Sequence, residues 1–289
     1  MDKPLLCGLL SLTPALCAAQ QSAVPNCGSS RKPNIVYIMT DDHAFQTISA
    51  YGHPISRLAP TPNIDRLAKR GMLFRKAFVE NSISAPSRAT LLTGLYSHHH
   101  GQTTLQYGIM DSTRLYFPEL LQQAGYRTAI FGKWHLSVEP RGFDRYDLLW
   151  DQGEYYNPVM RTPETNGKYI RQEGYATRII TDHALAWLDE QRTSQEPFCL
   201  MIHHKAPHRN WMAELKYLDL YDDVRFPEPA TLFDDYATRG DQMRQQELTI
   251  GGHGLCIRFQ SRRTERRTHP AIYPRQLADR HGDAHSRRA

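Results

Sequence analysis

Three short runs of β-branched and other apolar residues, each ending abruptly in charged or imidazole side chains, constrain this chain most. Asn34-Ile35-Val36-Tyr37-Ile38-Met39-Thr40 stops at Asp41-Asp42, Tyr126-Arg127-Thr128-Ala129-Ile130-Phe131-Gly132 stops at Lys133, and Phe198-Cys199-Leu200-Met201-Ile202 runs into His203-His204-Lys205. Runs of this length and composition read as strands. Helical patterns lie between them. Thr61 is placed to cap a helix with Pro62 at its first position and Ile64, Leu67 and Ala68 at helical spacing. Pro86 to Leu92 reads as a helix closed by Gly94, a further helix surrounds Leu120, and Ile180, Ala184, Trp187 and Leu188 mark an amphipathic helix within 177–192. Residues 73–79 read as one more strand. Strands alternating with helices predict an α/β sheet with helices on both faces. Functional groups then collect at the carboxyl ends of the strands, where Asp41, Asp42, Lys133, His135 and His208 fall.

The two ends differ from this middle. One positive charge at Lys3, a short apolar run from Leu5 to Leu16 and the small residues Cys17-Ala18-Ala19 form a secretory signal peptide over 1–19, with cleavage near Ala19. That predicts handling by the secretion machinery and a secreted or periplasmic location. Cys17 suggests a lipoprotein anchor, but Leu16 before it is a poor small-residue position. No other segment is apolar enough to be a transmembrane span. Residues 20–32 are polar and read as a linker. The net charge of +5 is concentrated at the other end: residues 251–289 hold nine Arg, no Lys and three acids, while 1–250 carry 26 basic and 27 acidic groups. Such a tail cannot build a core. Without the signal peptide the chain keeps Cys27, Cys199 and Cys256, which form neither a disulfide framework nor a zinc pattern.

Asp41-Asp42 supplies two hard, anionic oxygens from one strand end, which suits Ca²⁺ or Mg²⁺. Alone, such a pair is more often a solvated turn. Forty residues later, Ser84-Ala85-Pro86-Ser87-Arg88-Ala89-Thr90-Leu91-Leu92-Thr93-Gly94 matches in full the signature of type I sulfatases: Cys or Ser, any residue, Pro, Ser, Arg, three residues, then Leu-Thr-Gly. Gly132-Lys133-Trp134-His135-Leu136 and Pro207-His208 follow in family order. The chain therefore resembles the Ser-type, formylglycine-dependent sulfatases over residues 33–250, and the resemblance implies an alkaline-phosphatase-like α/β sheet sandwiched by helices.

In that family the first signature residue, here Ser84, is oxidised to formylglycine, whose hydrate carries two hydroxyls on one carbon. One attacks sulfur and the other later expels sulfate. The resemblance implies that Asp41, Asp42 and residue 84 bind the cation, that Arg88 assists beside it, that Lys133 contacts the sulfate, that His135 acts as base and that His208 faces the leaving oxygen as general acid. The Lys133-Trp134-His135 spacing, if extended, puts both polar side chains on one side. His98-His99-His100 and His203-His204 read as loop or supporting positions. A Ser-type maturase is an implied partner. At finer resolution, 37–43, 153–158 and 203–211 resemble bacterial N-acetylglucosamine-6-O-sulfatases, which implies a sulfated glycan substrate, of glycosaminoglycan or mucin origin.

One family feature is missing. Members complete the cation site with an Asp-Asn or Asp-Gln pair at a later strand end and add a Lys nearby; here Asp222-Asp223 and Asp234-Asp235 follow no such strand. The expectation is a truncated catalytic domain over 33–250 with little or no activity, and a frameshifted stretch from about Gly251. The competing reading of that stretch is a basic tail for anionic glycan or nucleic acid; with the frameshift, no nucleic-acid partner is expected. Two other functions stay open: a phospho-hydrolase of the same superfamily using unmodified Ser84, and a non-catalytic binder of sulfated glycan.

Overall fold

A computed structural model of the chain describes residues 31–209 and 211–246. Its contacts divide the chain between Pro33 and Asn34, and the fold below is that of the described residues from Asn34 onward. The signal-peptide and most of the linker reading, the Arg-rich tail, Cys27 and Cys256 lie outside the described residues.

The elements that position the site are β1 (Ile35–Thr40), α1 (Pro62–Arg70), α2 (Ser84–Thr93), α3 (Ser97–His100), α4 (Phe117–Gln123), β2 (Arg127–Lys133), β3 (Arg145–Leu149), β4 (Val159–Arg161), β5 (Ile170–Arg171), α5 (Ala176–Glu190) and β6 (Phe198–His204). They form a six-stranded sheet in the order β1-β6-β2-β3-β4-β5. The first four strands in that order are parallel, and β4 and β5 are antiparallel additions. The three apolar runs thus lie side by side, with β6 between β1 and β2.

Alternation along β2 explains why its whole run is apolar. Ile130 faces a cluster with Ala85, Ala89 and Leu92 of α2, while Ala129 and Phe131 face Ile180, Ala184 and Trp187 of α5. Both faces are covered, so neither can be polar. The predicted α/β architecture with helices on both faces is what the chain adopts.

Several local expectations are corrected. Residues 73–79 form no strand: Phe78 is 95% exposed and no neighbouring strand offers the run a ladder, so β-propensity has nothing to act on. Thr61 does not cap α1 with its side chain; its hydroxyl bonds Asp65 and Ser49 instead, and its carbonyl accepts from the Asp65 N–H. His98, His99 and His100 belong to the short α3 rather than a loop. His100 is buried and meets Thr90 Oγ1 at 3.0 Å, supporting α2 from behind. His203 and His204 close β6 rather than sit in a loop, and the supporting alternative holds for His203, whose Nδ1 accepts from Arg88 Nη1 at 3.0 Å. Finally, Lys133-Trp134-His135 is not extended throughout, because His135 takes a left-handed conformation at φ 53°.

Candidate active site

The signature run is helical from its first residue. Ile83 is extended, α2 starts at Ser84, and Gly94 ends it at φ 68°, a conformation glycine adopts without penalty. Pro86 needs no N–H in the first turn. This start places the Ser84 hydroxyl at the helix N-terminus, where the unpaired N–H groups favour an electron-rich oxygen. His135 Nδ1 lies 2.9 Å from Ser84 Oγ, and Arg88 Nε donates to the same oxygen from one turn on, at 3.4 Å.

Arg88 is 2% exposed and ties four elements together. Its Nη1 donates to the Lys133 carbonyl at 2.7 Å and to His203 Nδ1 at 3.0 Å, while Nη2 lies 3.5 Å from Asp41 Oδ2. Lys133, fully buried at the end of β2, donates to that same Asp41 oxygen at 2.5 Å and to Gln152 Oε1 at 2.6 Å. Burial pushes the Asp41 carboxyl up, but Lys133, Arg88 and His208 together hold it below its usual range. Burial likewise lowers the Lys133 ammonium, against the pull of Asp41.

His135 is held neutral: burial first, then Lys133 and Arg88, push its pKa down to about 4 against Asp151 and Asp41. Lys205, which follows β6, is brought down to about 8 by burial and by Lys133. Its ammonium donates to the Gln152 carbonyl at 3.1 Å and lies over the Tyr155 ring. His208 faces Asp42, Nε2 to Oδ2 at 3.5 Å, while its Nδ1 donates to the Arg209 carbonyl at 2.6 Å.

Ser84, Arg88, Lys133, His135 and Asp41 are therefore one connected hydrogen-bonded group, and Asp42 and His208 pair beside it. Gln152, His203 and Lys205 also belong to this neighbourhood; His203 takes the supporting position the sequence offered for it, and no sequence argument singled out Gln152 or Lys205 as site residues. Gln152 directly precedes the 153–158 string, which was the available signal.

The oxygens of Asp41, Asp42 and Ser84 have the hardness a Ca²⁺ or Mg²⁺ ion needs. Their number and disposition do not make a cation site. Asp41 Oδ2 is engaged by two cationic side chains, and among the described residues no group of three or more His, Cys, Asp or Glu could hold a metal.

The sulfatase family model matches residues 33–268, which extends past residue 250, where the motif resemblance stops. An N-acetylglucosamine-6-O-sulfatase of Bacteroides thetaiotaomicron is 45% identical over 249 residues, 85% of this chain and 42% of that protein. The human N-acetylgalactosamine-6-sulfatase is 31% identical over 243 residues, 72% of this chain and 46% of that protein. Among solved structures, BT4656 in complex with its substrate D-glucosamine-2-N,6-O-disulfate matches with TM-score 0.70 and 47% identity, over 76% of this chain and 44% of that one. This chain spans less than half the length of each of these three relatives. With the family model covering most of its length and the fold shared with these neighbours, the chain belongs to the sulfatase family.

Proposed function

We propose that this chain carries the nucleophile-bearing part of a sulfuric ester hydrolase acting on sulfated carbohydrate, with 6-O-sulfated N-acetylglucosamine as the sugar. The observation that carries the reading is the Ser84 hydroxyl at the start of α2, bonded by His135 and Arg88 beside the buried Lys133–Asp41 pair. The name of the 45% identical relative supports the choice of sugar.

Formylglycine at position 84 supplies, as its hydrate, one hydroxyl to attack sulfur and a second to expel sulfate. A half-buried hydroxyl at a helix N-terminus between two nitrogen partners fits that modification. The chain's own residues do the rest. Arg88 and Lys133 place positive charge where a sulfate would sit, in surroundings dry enough to strengthen it. His135 lies within proton-exchange distance of the residue 84 hydroxyl. His208 is the proton donor for the leaving sugar oxygen. Ca²⁺ or Mg²⁺ at Asp41, Asp42 and residue 84 belongs to the same reading, but the described residues do not complete its site and no step is assigned to it. Export through the N-terminal signal to the periplasm or beyond, after oxidation by a Ser-type maturase, is the matching biosynthetic route.

The decisive measurement is the mass of the peptide carrying residue 84 after co-expression with such a maturase. A loss of two hydrogens at Ser84 supports the sulfatase; an unmodified serine supports the phospho-hydrolase reading instead. A second reading is favoured by the incomplete set of cation donors: the described part binds sulfated glycan through Arg88 and Lys133 without turnover. Binding that Lys133→Ala abolishes, with no release of methylumbelliferone from its sulfate ester, would establish it. Turnover by the purified 289-residue chain would overturn it.

A further inference from the structure

The bonds around Gln152 define the proton position on His135. Lys133 Nζ carries only N–H groups, so the Gln152 atom 2.6 Å from it must be the carbonyl oxygen; a flipped amide would set donor against donor. The amide nitrogen is then turned toward His135 Nε2, at 3.2 Å. An NH₂ group can only donate, so Nε2 must offer its lone pair. The single ring proton of the neutral imidazole is left on Nδ1, which lies 2.9 Å from Ser84 Oγ.

We propose that Gln152 is a positioning residue that holds His135 as its Nδ1–H tautomer, so that His135 donates a hydrogen bond to the hydroxyl oxygen of residue 84. With Arg88 Nε also donating there, two N–H groups converge on that oxygen. An oxygen so placed is stabilised as it gains negative charge. The family resemblance implies a base at His135, but a base at Nδ1 requires the ring proton to move first to Nε2. The Gln152 amide opposes that move, whereas Asp151 Oδ1, 3.5 Å from Nε2, would accept it.

The backbone holds Gln152 in this place. It sits between Asp151 at φ 47° and Gly153 at φ 75°, in a turn closed by the Gly153 N–H donating to the Trp150 carbonyl at 2.8 Å. A Cβ at Gly153 would come within 2.7 Å of Leu149 Cδ1, so the turn packs directly on the end of β3. Lys205 Nζ, donating to the Gln152 carbonyl at 3.1 Å, fastens it from the β6 side.

The inference deepens the sulfatase reading and rests on it only for its catalytic consequence, because the tautomer can be read without turnover. The test is solid-state nitrogen-15 spectroscopy of the full chain with labelled histidine rings. His135 is identified among the 14 histidines by subtracting the His135→Asn spectrum. The wild-type chain is expected to show His135 protonated at Nδ1 and bare at Nε2. Gln152→Glu turns a carboxylate oxygen toward the ring and is expected to put a proton on Nε2; Gln152→Ala, leaving Asp151 as the partner, is expected to do the same. A wild-type His135 protonated at Nε2 overturns the proposal by itself. So does an Nδ1–H signal that persists unchanged in both folded variants. Neither result bears on whether residue 84 is oxidised, so failure here and failure of the sulfatase reading remain distinguishable.

Discussion

Arg88 shows what a single position does in this site. A guanidinium offers five donors in one plane, and here they reach a carbonyl on β2, an imidazole on β6, the Asp41 carboxylate and the Ser84 hydroxyl. Replacing it by Met would leave the Lys133 carbonyl and His203 without their donor and Asp41 with one cation instead of two. The expected loss is about 3 kcal/mol or more, read as a lower urea midpoint at unchanged slope, with Arg88→Lys between Met and wild type. His135 gives a pH dependence of definite sign. Its pKa is about 4 in the fold against about 6.5 for an ordinary histidine. Between those values the unfolded chain takes up a proton that the folded chain refuses, so stability present above 6.5 is lost as pH falls toward 4. The midpoints of thermal melts should fall as pH is lowered across that window in the wild type, and fall less in His135→Gln. The positions of Ser84, Arg88, Lys133, His135 and Asp41 were legible because a motif names them in order. Gln152 and Lys205 were not: each acts through contacts that exist only once β2, β3 and β6 lie side by side.

At the scale of elements, the sequence pattern was read correctly at β2, whose burial is two-sided, and misread at residues 73–79. The β2 run is apolar on both faces because α2 and α5 cover them, so its short continuous apolar stretch could be read as a buried strand without the structure. Residues 73–79 are likewise rich in apolar residues but have no sheet to join. The closeness of β2 to β6 was not legible at all. Gly132, at φ 106°, pairs with His203, and a Cβ there would lie 2.0 Å from the His203 carbonyl oxygen and 2.9 Å from its carbon. A backbone carbonyl cannot rotate away as a side chain can, so Gly132→Ala must separate the strands that carry Lys133 and His203. The expected cost is about 3 kcal/mol. Loss of the cooperative melt, or a midpoint lowered by many degrees, is the outcome to look for; Gly108→Ala, with nothing near its Cβ, controls for the positive-φ strain alone.

At the scale of the molecule, β1 is the long open edge of the sheet, opposite the two-residue β5. It pairs with β6 on one side only among the described residues, and Val36 and Ile38, inside this apolar strand, are 50% and 56% exposed. The amphipathic α1 likewise buries none of its residues. An apolar edge strand with open N–H and C=O groups is a template for pairing with another chain. The same strand delivers Asp41 and Asp42, so the open edge and the incomplete cation donor set sit on one element. The expected outcome is concentration-dependent self-association, seen by sedimentation velocity. Ile38→Lys sets a charge on the exposed side of the edge and should shift the chain toward monomer while leaving its circular dichroism intact. Association unchanged by Ile38→Lys would place the contact elsewhere on the molecule, with the exposed apolar face of α1 around Leu67 as the next position to substitute.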